Sequence, residues 1–253
     1  MTDLDLLKVQ AGMSLDARGR YAGLCGVTIA VAPEGEAIWI GAAVPDDLAA
    51  GLTAIVVPSP RSIDPSNPPP ALDAGERAIE AAMSVRTVRH AGPSYVFPLQ
   101  VRFDSSAEIV RSGTQVTPDL RLANPGNWGP IEWDELIDGR LGPWAMVVSS
   151  GEVLSICHTP LPMTRDAAEC GVWTRPDARG RGYASATAAA WAEALAPTGR
   201  HLFYHHDADN LSSQRVAQRL RLRAIGWIWR VAVDEPAGGA HPLSSESATR
   251  RAT

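Results

Sequence analysis

The sequence predicts an α/β fold, and three observations carry that reading. β-Rich runs alternate with helix-like segments through the C-terminal half, Gly and Pro punctuate them at short intervals, and no apolar run approaches the ~20 residues of a bilayer span. In chain order, residues 21–57 hold three apolar stretches, LCGVTIAVA, AIWIGAAV and LTAIVV, which read as strands separated by turn signals at Pro33-Glu34-Gly35 and Pro45-Asp46-Asp47. The run PSPRSIDPSNPPP (58–70) reads as an extended linker, because proline fixes φ and removes a donor. ALDAGERAIEAAMS (71–84) then reads as a helix, SYVFPLQVRF (94–103) as a strand broken by Pro98, and WDELIDGRL (133–141) as a short helix.

From residue 145 the pattern tightens. AMVVSS-GEVLSICHT (145–159) predicts a hairpin turning at Ser150-Gly151, and AECGVWT (168–174) another strand. ASATAAAWAEALA (184–196) predicts an alanine-rich helix stopped by Pro197. HLFYHH (201–206) follows as a strand, LSSQRVAQRL (211–220) as a helix capped by Asn210, and GWIWRVAV (226–233) as the closing strand. The organisation expected is an N-terminal α/β region over 1–84 containing the linker at 58–70, a main domain over 85–234, and a disordered tail over 235–253.

Composition narrows the function classes. A net charge of -5 argues against general binding to a nucleic acid backbone, although the arginines between Arg175 and Arg230 leave room for a local anion site. Cys25, Cys157 and Cys170 form no CxxC pair and suit a reducing compartment. The opening MTDLDLLKVQ lacks the order of a signal peptide, so the expectation is a cytoplasmic protein without membrane or nucleic acid partners. Neither GxGxxG after a first strand nor GxxxxGK[ST] occurs.

The segment GVWTRPDARGRGYASATAAAW (171–191) carries the most chemistry. A strand ends at Thr174 before Pro176, and a turn delivers Arg179, Gly180, Arg181, Gly182, Tyr183 and Ala184 into a helix start. Glycines let the backbone approach a ligand closely, the free N–H groups and positive dipole end favour an anion, and two arginines add charge. The small residues Ala184, Ser185, Ala186 and Ala188 let the helix pack close behind a bound group. Those features describe a pyrophosphate cradle; the spacing alone leaves a solvated turn as an equal alternative.

Arg179-Gly-Arg-Gly182-Tyr-Ala184 is similar to the (Gln/Arg)-x-x-Gly-x-(Gly/Ala) motif of the GNAT acetyltransferase superfamily, and it stands between a strand and a helix as that motif does. Asn210-Leu-Ser-Ser213 and its helix resemble the family's next element. The resemblance covers roughly residues 93–233, and AECGVWTRPDARGRGYA with FYHHDADNLSSQRVAQRL looks like the branch containing zwittermicin-type resistance acetyltransferases. It implies a mixed, mostly antiparallel sheet flanked by helices, with the smaller N-terminal region covering the acceptor site or supporting a homodimer.

The implied activity is transfer of an acetyl group from acetyl-CoA, the co-substrate, to a primary amine of a small molecule by direct attack in a ternary complex. Val172, Trp173 and Thr174 would pair with the pantetheine arm, residues 179–184 would hold the pyrophosphate, and Asn210 and Ser213 would lie beside the pantetheine and thiol. An amine with a pKa near ~10.4 must lose a proton before attack, so a base is needed. Glu169 is the first choice, against a solvated strand-edge glutamate, and His158 the second, against a packed histidine; one of His205 and His206 would face the cleft. Ala217 and Arg221-Leu222 stand where the family has its tyrosine acid and a Gly-Phe pair, so Ser212, Ser213 or Tyr204 would have to substitute, or the thiolate leave unassisted.

Other readings stay beside this one. The missing tyrosine allows an acyl-CoA-binding module without turnover, and the acceptor class allows a peptide or protein N-acetyltransferase. Cys157-His158, Cys170 and His205-His206 match no common zinc spacing, so no metal is expected, and a covalent cysteine would need a paired base. Trp128, Trp133 and Trp144 precede the hairpin where the family lines its acceptor pocket, with core packing as the simpler role for each.

Overall fold

A computed structural model describes residues 1–55, 64–113 and 118–234. The expected tail (235–253) and residues 58–63 of the expected linker lie outside the described residues. The fold is mixed α/β with mostly antiparallel strands flanked by helices, and the chain divides into two compact units.

The first unit comprises Met1–Tyr95, His205–Leu211 and Ala224–Ala240. It opens with α1 (Asp3–Ala11), which the sequence reading missed although Thr2 and Asp5 form a reciprocal capping box at its start. β1 (Cys25–Ala32) and β2 (Gly35–Ile40) pair antiparallel from Val27↔Ile40 to Ala32↔Gly35. LTAIVV is not a strand as far as it is described: residues 52–55 close α2 (Asp46–Ile55). Pro45 and two aspartates in the first turn, read as a turn signal, start that helix, because carboxylates favour the positive end of the helix dipole. α3 (Pro70–Met83) begins on Pro70 at its first position, as the missing N–H of proline allows.

β3 (Thr87–Val96) corrects the expected strand at 94–103: the strand ends two residues before Pro98, which cannot donate to a ladder. β9 (Arg223–Val233), the last strand of the chain, pairs antiparallel with β1, Ile29 facing Trp229. The core under this sheet gathers Val27, Ile29, Val31, Leu52, Leu72, Ile79 and Val231, each nearly devoid of exposure.

The second unit comprises Val96–Tyr204 and Ser212–Arg223, with a C-terminal part beyond the described residues. Its strands are β4 (Ile109–Arg111), β5 (Ala145–Ser149), β6 (Glu152–His158), β7 (Ala167–Thr174) and β8 (His201–His205). They lie side by side in the order β8-β7-β6-β5-β4. The expected hairpin is β5–β6, turning at Ser150 and Gly151, both with positive φ. β7 and β8 are parallel, Ala167↔His201 to Cys170↔Tyr204.

α6 (Tyr183–Leu195) crosses between them and packs on β4 to β7; alternation to the same side lets Ser155 Oγ reach Thr174 Oγ1 at 2.8 Å and Thr187 Oγ1 of the helix at 3.5 Å. Trp133, Leu136, Ile137 and Trp144, from α5 (Pro130–Ile137) and the segment after it, pack with α4 (Pro118–Leu122), Met146, Val153 and Ile156 into a second core. α5 starts three residues before the expected 133, at Pro130 in the first helical position. α7 (Leu211–Arg219) is confined to one buried side, Val216 and Ala217.

Candidate functional site

The turn after β7 is built to leave backbone donors free. A short helical turn over Pro176–Ala178 uses the N–H groups of Ala178 and Arg179 on Arg175 O and Pro176 O. Gly180 and Gly182 then take φ of 81° and 83°, a left-handed conformation that side chains disfavour, and Gly182 caps α6. The next N–H to find an acceptor is that of Ala186, on Gly182 O at 3.0 Å. Between them the N–H groups of Gly180 to Ser185 meet no acceptor among the described residues. Ser185 continues the run: its hydroxyl is buried at 1% exposure and has no hydrogen-bond partner among the described residues. Six consecutive donors and an orphaned hydroxyl at the start of a thirteen-residue helix fit an anion.

The charge around this cradle follows from the same turn. Arg175 is held by Glu152 and Asp177, each at 2.6 Å, so it is a structural cation. Arg179 and Arg181 are exposed, with Arg179 Nε donating to Thr174 O at 3.3 Å. A third arginine was not foreseen. A Cβ on Gly182 would lie 4.0 Å from Arg219 Nη1 and 3.4 Å from the Phe103 ring, so a guanidinium of α7 and an aromatic ring flank the cradle.

β7 supplies a second open feature. Its ladder with β8 stops at Cys170↔Tyr204, yet the strand runs on to Thr174 and stays paired with β6 through Ser155↔Thr174. Arg175 N donates to Leu154 O, so by alternation Val172 and Thr174 turn their backbone groups away from β6, onto the edge where β8 is no longer paired. An extended chain could add there as a strand, as peptides do at sheet edges.

Side chains alternate across β7. Cys170, Val172 and Thr174 face α6, and Glu169, Gly171 and Trp173 face the opposite side with His158, which sits across from Gly171. On that side Trp128 meets Trp173 at 6.2 Å and 81°, His158 at 5.4 Å and 83°, and Trp133 at 5.6 Å. Burial lowers the His158 pKa to about 4, so at neutral pH it is an uncharged imidazole and a weak proton acceptor. Glu169, three positions before Val172, is half-buried.

The remaining residues fall as follows. Ser213 lies in the first turn of α7 in the second unit, and Asn210 precedes that helix in the first, its N–H on Asp207 O at 3.0 Å. Ala217 is buried in the α7 packing. Arg221 has φ of 52° and closes the helix: its N–H donates to Gln218 O and that of Leu222 to Ala217 O. His206, in the first unit, is buried and stacked on Tyr95 at 5.6 Å, with Nδ1–H donating to Asp207 O and its pKa lowered by burial. Cys157 and Cys170 are neighbouring buried thiols, and burial pushes that of Cys157 well above the ordinary range, which suits packing and opposes nucleophilic use.

A cleft of about 510 Å³ in the first unit is lined by Arg20, Ile38, Trp39, Asp46 and Thr53 among others. Its arginine is already committed to Gly41 O, Val44 O and Asp46, so it offers an anion less than the free donors before α6 do. Among the described residues no His, Cys, Asp and Glu group could hold a metal, and no helix is long and apolar enough to cross a membrane.

Residues 94–223 match the family model described as an acetyltransferase (GNAT) domain. Among solved structures, a GNAT-family acetyltransferase from Colwellia psychrerythraea shares 12% identity at a TM-score of 0.50, over 92% of this chain and 96% of its own. A protein assigned to the GNAT acetyltransferases of Novosphingobium aromaticivorans shares 24% identity at 0.45, over 60% and 68%. A GCN5-related N-acetyltransferase-like protein of Streptococcus suis shares 20% at 0.44, over 65% and 69%. No curated protein matches the sequence significantly.

Proposed function

Since the chain belongs to the GNAT acetyltransferase family and is thereby an acetyl-CoA-dependent N-acetyltransferase, we propose that its acceptor is a primary amine on a small molecule and that the donor lies along β7 and the turn before α6. The observation that carries the donor site is the run of free N–H groups from Gly180 to Ser185, backed by the unpartnered Ser185 hydroxyl. These groups, with Arg179, Arg181 and Arg219, hold the pyrophosphate. The open edge at Val172 and Thr174 takes the amide groups of the pantetheine arm, which places the thioester beyond Val172, toward Glu169. Ser213 stands beside the arm, as the family resemblance implies.

The amine nitrogen attacks the thioester carbonyl directly, a C–N bond forms as the C–S bond breaks, and the amine gives up one proton. Glu169 takes that proton, directly or through a water. His158 is the weaker base, because burial already disfavours its charged form. Ala217 cannot supply a proton to the departing sulfur, so Ser213 donates it or the thiolate leaves as such; a thiolate with a pKa near 8.5 is a tolerable leaving group. Three free cysteines fit a reducing, cytoplasmic setting.

Thermal unfolding with excess acetyl-CoA, against ATP and NAD, tests the donor site. A ligand at ~100 times its Kd adds about 2.7 kcal/mol, several degrees for a chain this size. Gly182→Trp, whose side chain would run into the Phe103 ring, should abolish that rise; a variant that keeps it moves the site elsewhere. Glu169→Gln should lower kcat about a hundredfold while the Kd for acetyl-CoA stays put, and a full-rate variant would remove Glu169 from the proton path.

A further inference from the structure

Among the alanines of α6 stands one β-branched residue, Thr187. Alanine is the best helix former, whereas threonine loses rotamer freedom against the preceding turn. Thr187 is fully buried, so it does not serve the surface. Its hydroxyl donates back into the helix, to Tyr183 O at 3.1 Å and Ala184 O at 3.2 Å. A hydroxyl has one proton, so the two carbonyls share a three-centre bond. Back-bonding of this kind slightly destabilises a helix and tends to bend it, so the fold gains little from it. Ser155 Oγ of β6 stands 3.5 Å from Thr187 Oγ1 and 2.8 Å from Thr174 Oγ1. With the Thr187 proton spent on the helix, Thr187 Oγ1 is the acceptor in that longer contact.

A peptide unit is planar and trans, with its C=O and N–H pointing opposite ways. The carbonyl of Tyr183 therefore shares a unit with the N–H of Ala184, and the carbonyl of Ala184 shares one with the N–H of Ser185. Those two N–H groups close the run from Gly180 to Ser185 that meets no acceptor among the described residues. A donor placed on the carbonyl of such a unit has two effects at its other end. It fixes the tilt of the plane, and so the line along which the N–H points. It also polarises the unit, which strengthens a bond made by that N–H by roughly 10–30%. The buried hydroxyl of Thr187 thus acts on the outward-facing donors through the backbone between them.

We propose that Thr187 is a positioning residue of the donor site, whose hydroxyl aims and polarises the N–H groups of Ala184 and Ser185 toward the pyrophosphate of acetyl-CoA. It touches no part of the donor and works through two peptide units. Ser155 steadies it from the strand side and reaches Thr174 at the end of β7, so one pair of buried hydroxyls joins the strand to the start of the helix. This inference rests on the donor reading above, because a polarised N–H counts only when an anion sits on it.

The test measures binding of acetyl-CoA and of S-acetylpantetheine, which keeps the thioester and the arm but carries no phosphate. The native protein should bind acetyl-CoA about tenfold or more tighter than S-acetylpantetheine. Thr187→Val keeps the shape of the side chain and removes the hydroxyl. It should weaken acetyl-CoA about fivefold, the scale of one hydrogen bond, and S-acetylpantetheine less than about twofold. Thr187→Ser restores the hydroxyl and should bring acetyl-CoA binding back to within about twofold of native. The amide proton resonances of Ala184 and Ser185 in the ligand-free protein give a second reading. They should move upfield in Thr187→Val and hold their place in Thr187→Ser. Thr187→Ala, a better helix former, replaces Thr187→Val if that protein does not fold. An equal loss for both ligands makes Thr187 a packing residue and overturns the inference. Unchanged acetyl-CoA binding without the hydroxyl, unmoved amide resonances, or a Thr187→Ser protein as weak as Thr187→Val overturns it too, and each leaves the donor site standing. A native protein that binds the two ligands equally removes the pyrophosphate cradle first, and the role of Thr187 with it.

Discussion

The Ser185 side chain makes no hydrogen bond among the described residues, although its hydroxyl is buried at the start of α6. A buried polar group without a partner costs about 1–3 kcal/mol, so its retention points to a partner that arrives from outside. Ser185→Ala should therefore leave the ligand-free Tm equal or higher and weaken acetyl-CoA binding about tenfold, the scale of one hydrogen bond to a charged acceptor. Calorimetric titration beside a melting curve checks both; an unchanged Kd would make the serine incidental. The glycines of the proposed cradle were legible as residues, because positive φ belongs to a residue type, and Arg179 and Arg181 were read there for the affinity of guanidinium for phosphate. Ser185 was read only as small, since its want of a partner exists only in the fold. Arg219 and Phe103 left no local signal: their closeness to Gly182 arises from elements distant in sequence.

At the scale of elements, punctuated segments were legible and unpunctuated ones were not. The β5–β6 hairpin, β7, α6, β8 and α7 were found within a residue or two, because glycine, proline and capping residues bound each of them. α2 was misread because a short apolar run has no period that separates helix from strand. The end of α7 shows what the departure at Arg221 costs. The bonds Arg221 N to Gln218 O and Leu222 N to Ala217 O form a Schellman closure, whose left-handed position glycine usually fills. Arginine there carries a strained backbone. Arg221→Gly should raise stability by about 1 kcal/mol, read as a Tm gain of a few degrees, and a loss of stability would contradict the strain.

The molecule as a whole should lose stability in acid through His158. Its pKa falls on folding from 6.5 to about 4, so the unfolded chain binds the proton that the folded chain refuses. That contribution is intact above pH 6.5 and drains away as the pH falls toward 4, to about 3 kcal/mol in full. Melting curves across that window should fall more steeply for the native protein than for His158→Asn; parallel curves would place the acid sensitivity elsewhere. Ordinary composition said little about this, because burial and not residue type sets the shift. The donor features have a different consequence. In the proposed donor site, free N–H groups, arginines and an open strand edge would all grip the nucleotide and its arm, parts that substrate and spent carrier have in common. Nothing among them distinguishes a loaded carrier from an empty one, and uniform grip of that kind does not speed the chemistry. Free CoA should accordingly compete with acetyl-CoA at similar concentration, so that turnover follows the ratio of the two and not the amount of either.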